Sequence, residues 1–170
     1  MLLSLPQDSL LVPGQDLHPV QVPGSKSVTN RALLLAALAP GTCHFLGGLE
    51  AEDTRWMREA LRGLGFAVEG QAGSWSIQGG GRPWATGPLW LGASGTTLRF
   101  LLPWLALCAE GPVRLEGDPR LFERPLGPLL EPLESMGAQW SADGSGAWLR
   151  PSPVPPRRLS LRVEDRKSVV

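Results

Sequence analysis

Lys26 stands in the run Pro23-Gly24-Ser25-Lys26-Ser27, just ahead of Asn30-Arg31-Ala32-Leu33-Leu34-Leu35. An ammonium, two hydroxyls and several backbone N–H donors therefore meet at the expected start of an apolar helix. A helix start carries partial positive charge and unsatisfied donors, so it is a natural place to hold phosphate or carboxylate. The plain alternative is a surface lysine in a turn. A P-loop is excluded, because it needs glycine directly before the lysine and another five residues earlier. Those positions hold Ser25 and Val20.

Arg31 follows Lys26 by five residues, and Arg99 occupies the same relative place after Gly92-Ala93-Ser94-Gly95-Thr96-Thr97-Leu98. An arginine beside an apolar run must snorkel or find an anion. Two of them, each after a hydroxyl-rich loop, suggest two loops facing one site. Gly95, Thr96 and Thr97 can form a second anion-binding nest; alternatively, the glycine only turns the chain and the threonines only cap a helix. Arg124 precedes Pro125, which keeps it out of helical geometry and aims it from a rigid loop. It can grip an anion through two hydrogen bonds, or pair with Glu123 or Glu131. Asp53 reads as a helix cap.

Other chemistries find little support. His18 and His44 have no carboxylate at ligand spacing, so no metal site is read. Cys43 and Cys108 read as free thiols of a reducing cytoplasm. The net charge is zero, with no basic stripe for nucleic acid. The longest apolar run, 32–39, is too short for a bilayer. The first residues have no basic region ahead of their leucines, so they read as a mature N-terminus and the location as cytoplasmic. With 170 residues, 42% of them hydrophobic, the chain is long enough for one ordinary domain.

These side chains need a scaffold, and the sequence supplies it twice. Arg31 aligns with Arg99, 68 positions on; Leu61 and Gly65 align with Leu133 and Gly137, 72 positions on. Each copy predicts a small-residue loop, then an apolar helix (30–39 and 97–109) that should be buried on all sides. A strand follows (42–46 and 113–116), then a second helix, then two strands around a glycine-rich turn (66–69 with 74–78, 138–141 with 147–150). Asp53 or Thr54 can cap the second helix in the first copy. Gly65 and Gly137 suit the position just past a helix end, where positive φ is needed. Pro128 and Pro132 predict that this helix is kinked or starts late in the second copy, with Pro125 available to its first turn. The alternation gives an α/β fold of two βαβαββ-type units, about 19–87 and 88–156, after an N-terminal segment 1–18. A third unit is expected to begin near 157.

Three stretches together resemble a known family. They are "PGSKSVTNRALLLAALA", "LGASGTTLRFL" and "GDPRLFERPLGPLLEPLESMGA", in that order. They look like signature segments of the 5-enolpyruvylshikimate-3-phosphate synthases, also called 3-phosphoshikimate 1-carboxyvinyltransferases. The resemblance implies the enolpyruvyl transferase fold, with about two of the three units of one domain present. It implies transfer of the enolpyruvyl group of phosphoenolpyruvate to the 5-hydroxyl of shikimate 3-phosphate, without cofactor or metal. Both substrates are small polyanions, and neither nucleic acid nor membrane is a partner. By resemblance Lys26, Ser27 and Arg31 bind shikimate 3-phosphate, with Lys26 touching both substrates. Gly95, Thr96 and Arg124 bind phosphoenolpyruvate.

The departures matter as much. Many members carry Asn-Ala where this chain has Ala93-Ser94, so an amide is missing unless Ser94 substitutes for it. The family's later segments, including its aspartate base, are not present. No catalytic residue is therefore expected in this chain, which is expected to be an inactive part of an enzyme that is monomeric at full length. The tail "DRKSVV" resembles a translated sequencing adapter, so 164–170 are expected to be non-native. The alternatives are the sister enzyme acting on UDP-N-acetylglucosamine and a non-catalytic anion-binding half-domain.

Overall fold

The computed structural model describes residues 24–153. The segment 1–18, the third unit expected from about 157 and the tail 164–170 lie outside the described residues.

The chain runs α1 (Lys26–Leu38), β1 (Gly41–Phe45), α2 (Glu52–Gly63), β2 (Ala67–Gln71), β3 (Ser74–Gly79), β4 (Leu89–Trp90), α3 (Gly95–Cys108), β5 (Val113–Glu116), α4 (Pro119–Phe122), α5 (Gly127–Ser135), β6 (Gln139–Ala142) and β7 (Gly146–Arg150). The strands form two sheets, ordered β1-β3-β2 and β4-β5-β7-β6. The series β5-β7-β6 copies β1-β3-β2, antiparallel throughout. β4 adds a short parallel edge beside β5. From β4 onward the order is strand, helix, strand, helix, strand, strand, with the second helix in two pieces.

The two copies share their helix ends. Ser25 and Ser94 cap α1 and α3 by accepting the amides of Val28 and Thr97. α2 and α5 both stop in a Schellman turn. Gly65 donates to the Arg62 carbonyl and Phe66 to that of Leu61, while Gly137 donates to Glu134 and Ala138 to Leu133. Gly65 and Gly137 sit at φ 91° and 94°, which a side chain at Cβ disfavours. The two turns are thus alike down to single hydrogen bonds.

The expected break of the helix in the second copy holds, and other expectations change. The helix after the Asp118 turn is split: α4 spans one turn, and α5 starts late with Pro128 in its first turn. Pro125 lies between them, outside either helix, because Pro128 supplies the start that needs no amide. α2 is capped by neither Asp53 nor Thr54: Ala51 is its N-cap, and the Thr54 hydroxyl reaches back to accept the Ala51 amide. Finally, α1 is not buried on all sides. Val28, Leu35 and Leu38 are exposed on one face, while Leu33, Ala36 and Ala37 are buried on the other. α3 is buried more deeply but not on all sides either: Leu98, Leu101, Leu102 and Leu105 are buried on one face, while Arg99 is exposed and Phe100, Pro103 and Leu107 are half-buried on the other. One continuous core joins both copies through Leu33, Met57, Leu61, Ile77, Leu101 and Leu115.

Candidate anion-binding site

The starts of α1, α2 and α3 come together through polar side chains. Lys26, the first residue of α1, places Nζ 3.1 Å from Asp53 Oδ2 in the first turn of α2. Asp53 Oδ1 accepts the Ser94 hydroxyl at 2.6 Å and the Thr96 hydroxyl at 3.1 Å, both at the start of α3. The Thr97 hydroxyl lies 2.7 Å from Ser94 Oγ and 3.2 Å from the Asp53 carbonyl. From α1, Asn30 Nδ2 donates to Thr96 Oγ1 at 3.1 Å and reaches Thr97 Oγ1 at 3.4 Å. Asn30, Ser94 and Thr97 are buried. Buried polar groups need partners, and most here find one another across the repeat boundary, although Asn30 Oδ1 has none among the described residues.

The cations surround this knot. Arg31 stacks over the Phe100 ring, its Cζ 5.0 Å from the centroid, and reaches the Ser27 carbonyl at 3.4 Å. Arg99 reaches the Pro125 carbonyl at 3.4 Å. Arg124 lies over Gly95: a Cβ there would collide with Arg124 Nη1 and stand 3.2 Å from Arg99 Nη1. Among the described residues, Arg31, Arg99 and Arg124 form no ion pair with any carboxylate. Arg124 therefore pairs with neither Glu123 nor Glu131. Ser27 is half-buried beside Lys26. The site is an open face. A recess of about 380 Å³ lies at the start of α2, lined by Glu50, Ala51, Glu52 and Arg55, and one of about 370 Å³ lies apart, beside Arg114 and Trp148.

Asp53 is not a cap but a link from α2 to α1 and α3. Burial pushes its carboxyl up, but hydrogen bonds from Ser94, Lys26 and Thr96 and the Lys26 charge outweigh that, leaving it below the usual carboxylate range. Asp53 thus stays ionised at neutral pH and holds Lys26 in place. The lysine side chain is 54% exposed, so the pair is screened and its value is positional.

The nest expected over 95–97 is partly filled from within: Gly95 donates to the Ala93 carbonyl and Thr97 to Ser94 Oγ. Ser94 does not stand in for the missing amide, because it is 3% exposed and faces Asp53. Ala93 is the exposed residue of that pair. Sequence reasoning passed over Asn30 and read Thr97 as part of an anion nest or a cap rather than as a member of this knot. The signal was present, since both are polar residues just ahead of apolar runs, 32–39 after Asn30 and 100–109 after Thr97.

The family model for EPSP synthase (3-phosphoshikimate 1-carboxyvinyltransferase) matches residues 15–148. The chain belongs to this family. A 3-phosphoshikimate 1-carboxyvinyltransferase of Rhizobium etli (strain CIAT 652) is 44% identical over 140 residues, covering 79% of this chain and 33% of the relative. One from Pseudomonas savastanoi pv. phaseolicola is 45% identical over 125 residues, covering 72% and 30%. A solved EPSP synthase structure from Acinetobacter baumannii superposes with TM-score 0.69 at 32% identity, over 78% of this chain and 31% of that one. The α/β architecture is therefore that of EPSP synthases, and the chain spans about a third of the length of the relatives it matches. No described helix is long and apolar enough to cross a membrane.

Proposed function

We propose that this chain supplies the anion-gathering part of an EPSP synthase, a transferase of the shikimate pathway. The reaction moves the enolpyruvyl group of phosphoenolpyruvate to the 5-hydroxyl of shikimate 3-phosphate and releases phosphate. The observation that carries this reading is the gathering of Arg31, Arg99 and Arg124 about the starts of α1 and α3 without a carboxylate partner among the described residues. Cations brought together in this way leave a face short of negative charge. Two polyanionic substrates supply it.

In this reading Lys26, Ser27 and Arg31 hold shikimate 3-phosphate at the mouth of α1. Gly95, Thr96 and Arg124 hold phosphoenolpyruvate at the mouth of α3. The knot between the mouths fixes their separation, so the reactants meet by proximity while the cations offset their repulsion. Asp53 is a poor candidate for the base at the 5-hydroxyl. It is already engaged by two hydroxyls and an ammonium, and its lowered pKa makes it a weak proton acceptor. The base is therefore assigned to a segment outside this chain, and the 170-residue chain alone is proposed to be inactive. Monomeric assembly and a cytoplasmic location belong to the same proposal.

Titration of the purified chain with shikimate 3-phosphate, followed by calorimetry, tests the reading. Binding is expected, with Lys26→Ala weakening it by roughly tenfold or more, the loss of a charge-assisted contact. No product should form when phosphoenolpyruvate is added. Displacement by UDP-N-acetylglucosamine would favour the sister enzyme, and turnover by the chain alone would overturn its inactivity.

A further inference from the structure

We propose that Ser94 is a positioning residue for the anion site of the other repeat: by donating to Asp53, it fixes the carboxylate that holds Lys26 at the mouth of α1. The proposal rests on the reading of Lys26 as a substrate-binding cation.

The geometry separates this role from simple capping. A capping serine needs only the bond from the Thr97 amide, here 3.3 Å. Ser94 makes a second and shorter contact, 2.6 Å to Asp53 Oδ1. The two carboxylate oxygens then divide their work. Oδ1 is taken by Ser94 and Thr96, and Oδ2 faces Lys26. With Oδ1 anchored, Oδ2 has one direction, and the flexible lysine stem is held to it. The hydroxyl cannot serve a ligand directly, because Ser94 is 3% exposed. Lys26 is the charged group in contact with Asp53, while Arg31 stacks on Phe100 and Arg99 and Arg124 stand at Gly95. Nothing else charged competes for the carboxylate among the described residues. A pre-placed ammonium loses less conformational freedom when phosphate arrives, so affinity at α1 depends on a serine of the second repeat.

Three variants of the full chain test this: Ser94→Ala, Ser94→Gly and Ser94→Thr. Glycine caps a helix nearly as well as serine and alanine does not, so stability alone groups glycine with the parent. Loss of the hydroxyl groups glycine with alanine. Three quantities are measured: the Asp53 carboxyl titration midpoint by carbon NMR, the rate of Lys26 acetylation by acetic anhydride, and shikimate 3-phosphate affinity. Alanine and glycine are expected to raise the midpoint, speed acetylation severalfold and weaken affinity roughly fivefold, the loss of one hydrogen bond to a charged group. Threonine, which keeps the hydroxyl, should stay near the parent. Should glycine match the parent in midpoint and acetylation while only alanine differs, Ser94 is a cap and the proposal is overturned. Should the Ser94→Thr variant fail to fold because of its added methyl, the glycine and alanine pair still decides. Absence of shikimate 3-phosphate binding in the parent would sink the functional reading, yet the midpoint and acetylation rate would still decide on Ser94.

Discussion

α1 and α3 begin alike and end in different surroundings. Each follows a capping serine, each carries an arginine near its start, and each closes with its C-cap alanine amide on a leucine carbonyl, Ala39 on Leu35 and Ala109 on Leu105. α3 then lies between α1, α2, α5 and β7 and buries Leu98, Leu101, Leu102 and Leu105, with only Leu107 of its leucines half-buried. α1 meets α2, α3, β1 and β3 but leaves Val28, Leu35 and Leu38 open. α3 is also the more apolar of the two, with one charged residue against the Lys26 and Arg31 of α1, so both composition and neighbours set how much each helix buries.

The largest expected effect tests that contrast. Leu101→Ala empties a fully buried place in α3 and should cost about 2–5 kcal/mol. Leu35→Ala, at a position 64% exposed, should stay within about 0.5 kcal/mol. Urea unfolding of both variants checks this. A Leu35→Ala cost near that of Leu101→Ala would mean that the outer face of α1 is covered in solution, and the contrast between the repeats would fail. The helix ends come next. Gly65→Ala and Gly137→Ala each force a side chain into positive φ, for about 1–2 kcal/mol in thermal unfolding. Gly137 should be the worse of the two, since its added Cβ would stand 3.3 Å from Ser152 Oγ, whereas that of Gly65 meets nothing nearer than 3.9 Å. A clear gap in the other direction would show that the two turns are not equivalent.

The same contrast explains what was legible in the sequence. The repeat, the α/β alternation and the Gly65 and Gly137 turns could be read because each rests on local chemistry: a period, a cap, a forbidden φ. The split of α4 from α5 was half-legible, since prolines announce a break but not which of them starts the next helix. Exposure of α1 was not legible, because burial depends on what packs against a face. Among site residues, Lys26, Arg31, Arg99 and Arg124 stood out by charge beside glycine and hydroxyls. Asp53 and Ser94 were misread as a local cap and a ligand group. Their partners lie 27 to 43 positions away in sequence, beyond what spacing can show.

Gly95 separates site from scaffold. Its added Cβ would meet the ends of the flexible Arg124 and Arg99 side chains, with no backbone atom among its nearest contacts. Gly95→Ala should therefore change stability by less than about 1 kcal/mol while displacing Arg124. Phosphoenolpyruvate affinity, read by calorimetry, should fall roughly tenfold, with shikimate 3-phosphate affinity little changed. Equal losses for both anions would erase the division between the two mouths.

The smallest expected effect is electrostatic and belongs to the link between the repeats. Asp53 has a folded pKa below its ordinary value of 3.8, so its ionised form stabilises the fold. That contribution is complete above the unfolded value and disappears as pH falls through the lowered folded one. It should amount to no more than about 1 kcal/mol, because Lys26 is 54% exposed and solvent screens the pair. Asp53→Asn keeps the size of the side chain and removes the titration. Its stability deficit against the parent should hold steady from neutral pH down to about pH 5 and shrink below about pH 4. A deficit unchanged into strong acid would show that the ionised form of Asp53 adds nothing to the joint between α1 and α3, either through the hydrogen bonds of Ser94 and Thr96 or through the charge of Lys26.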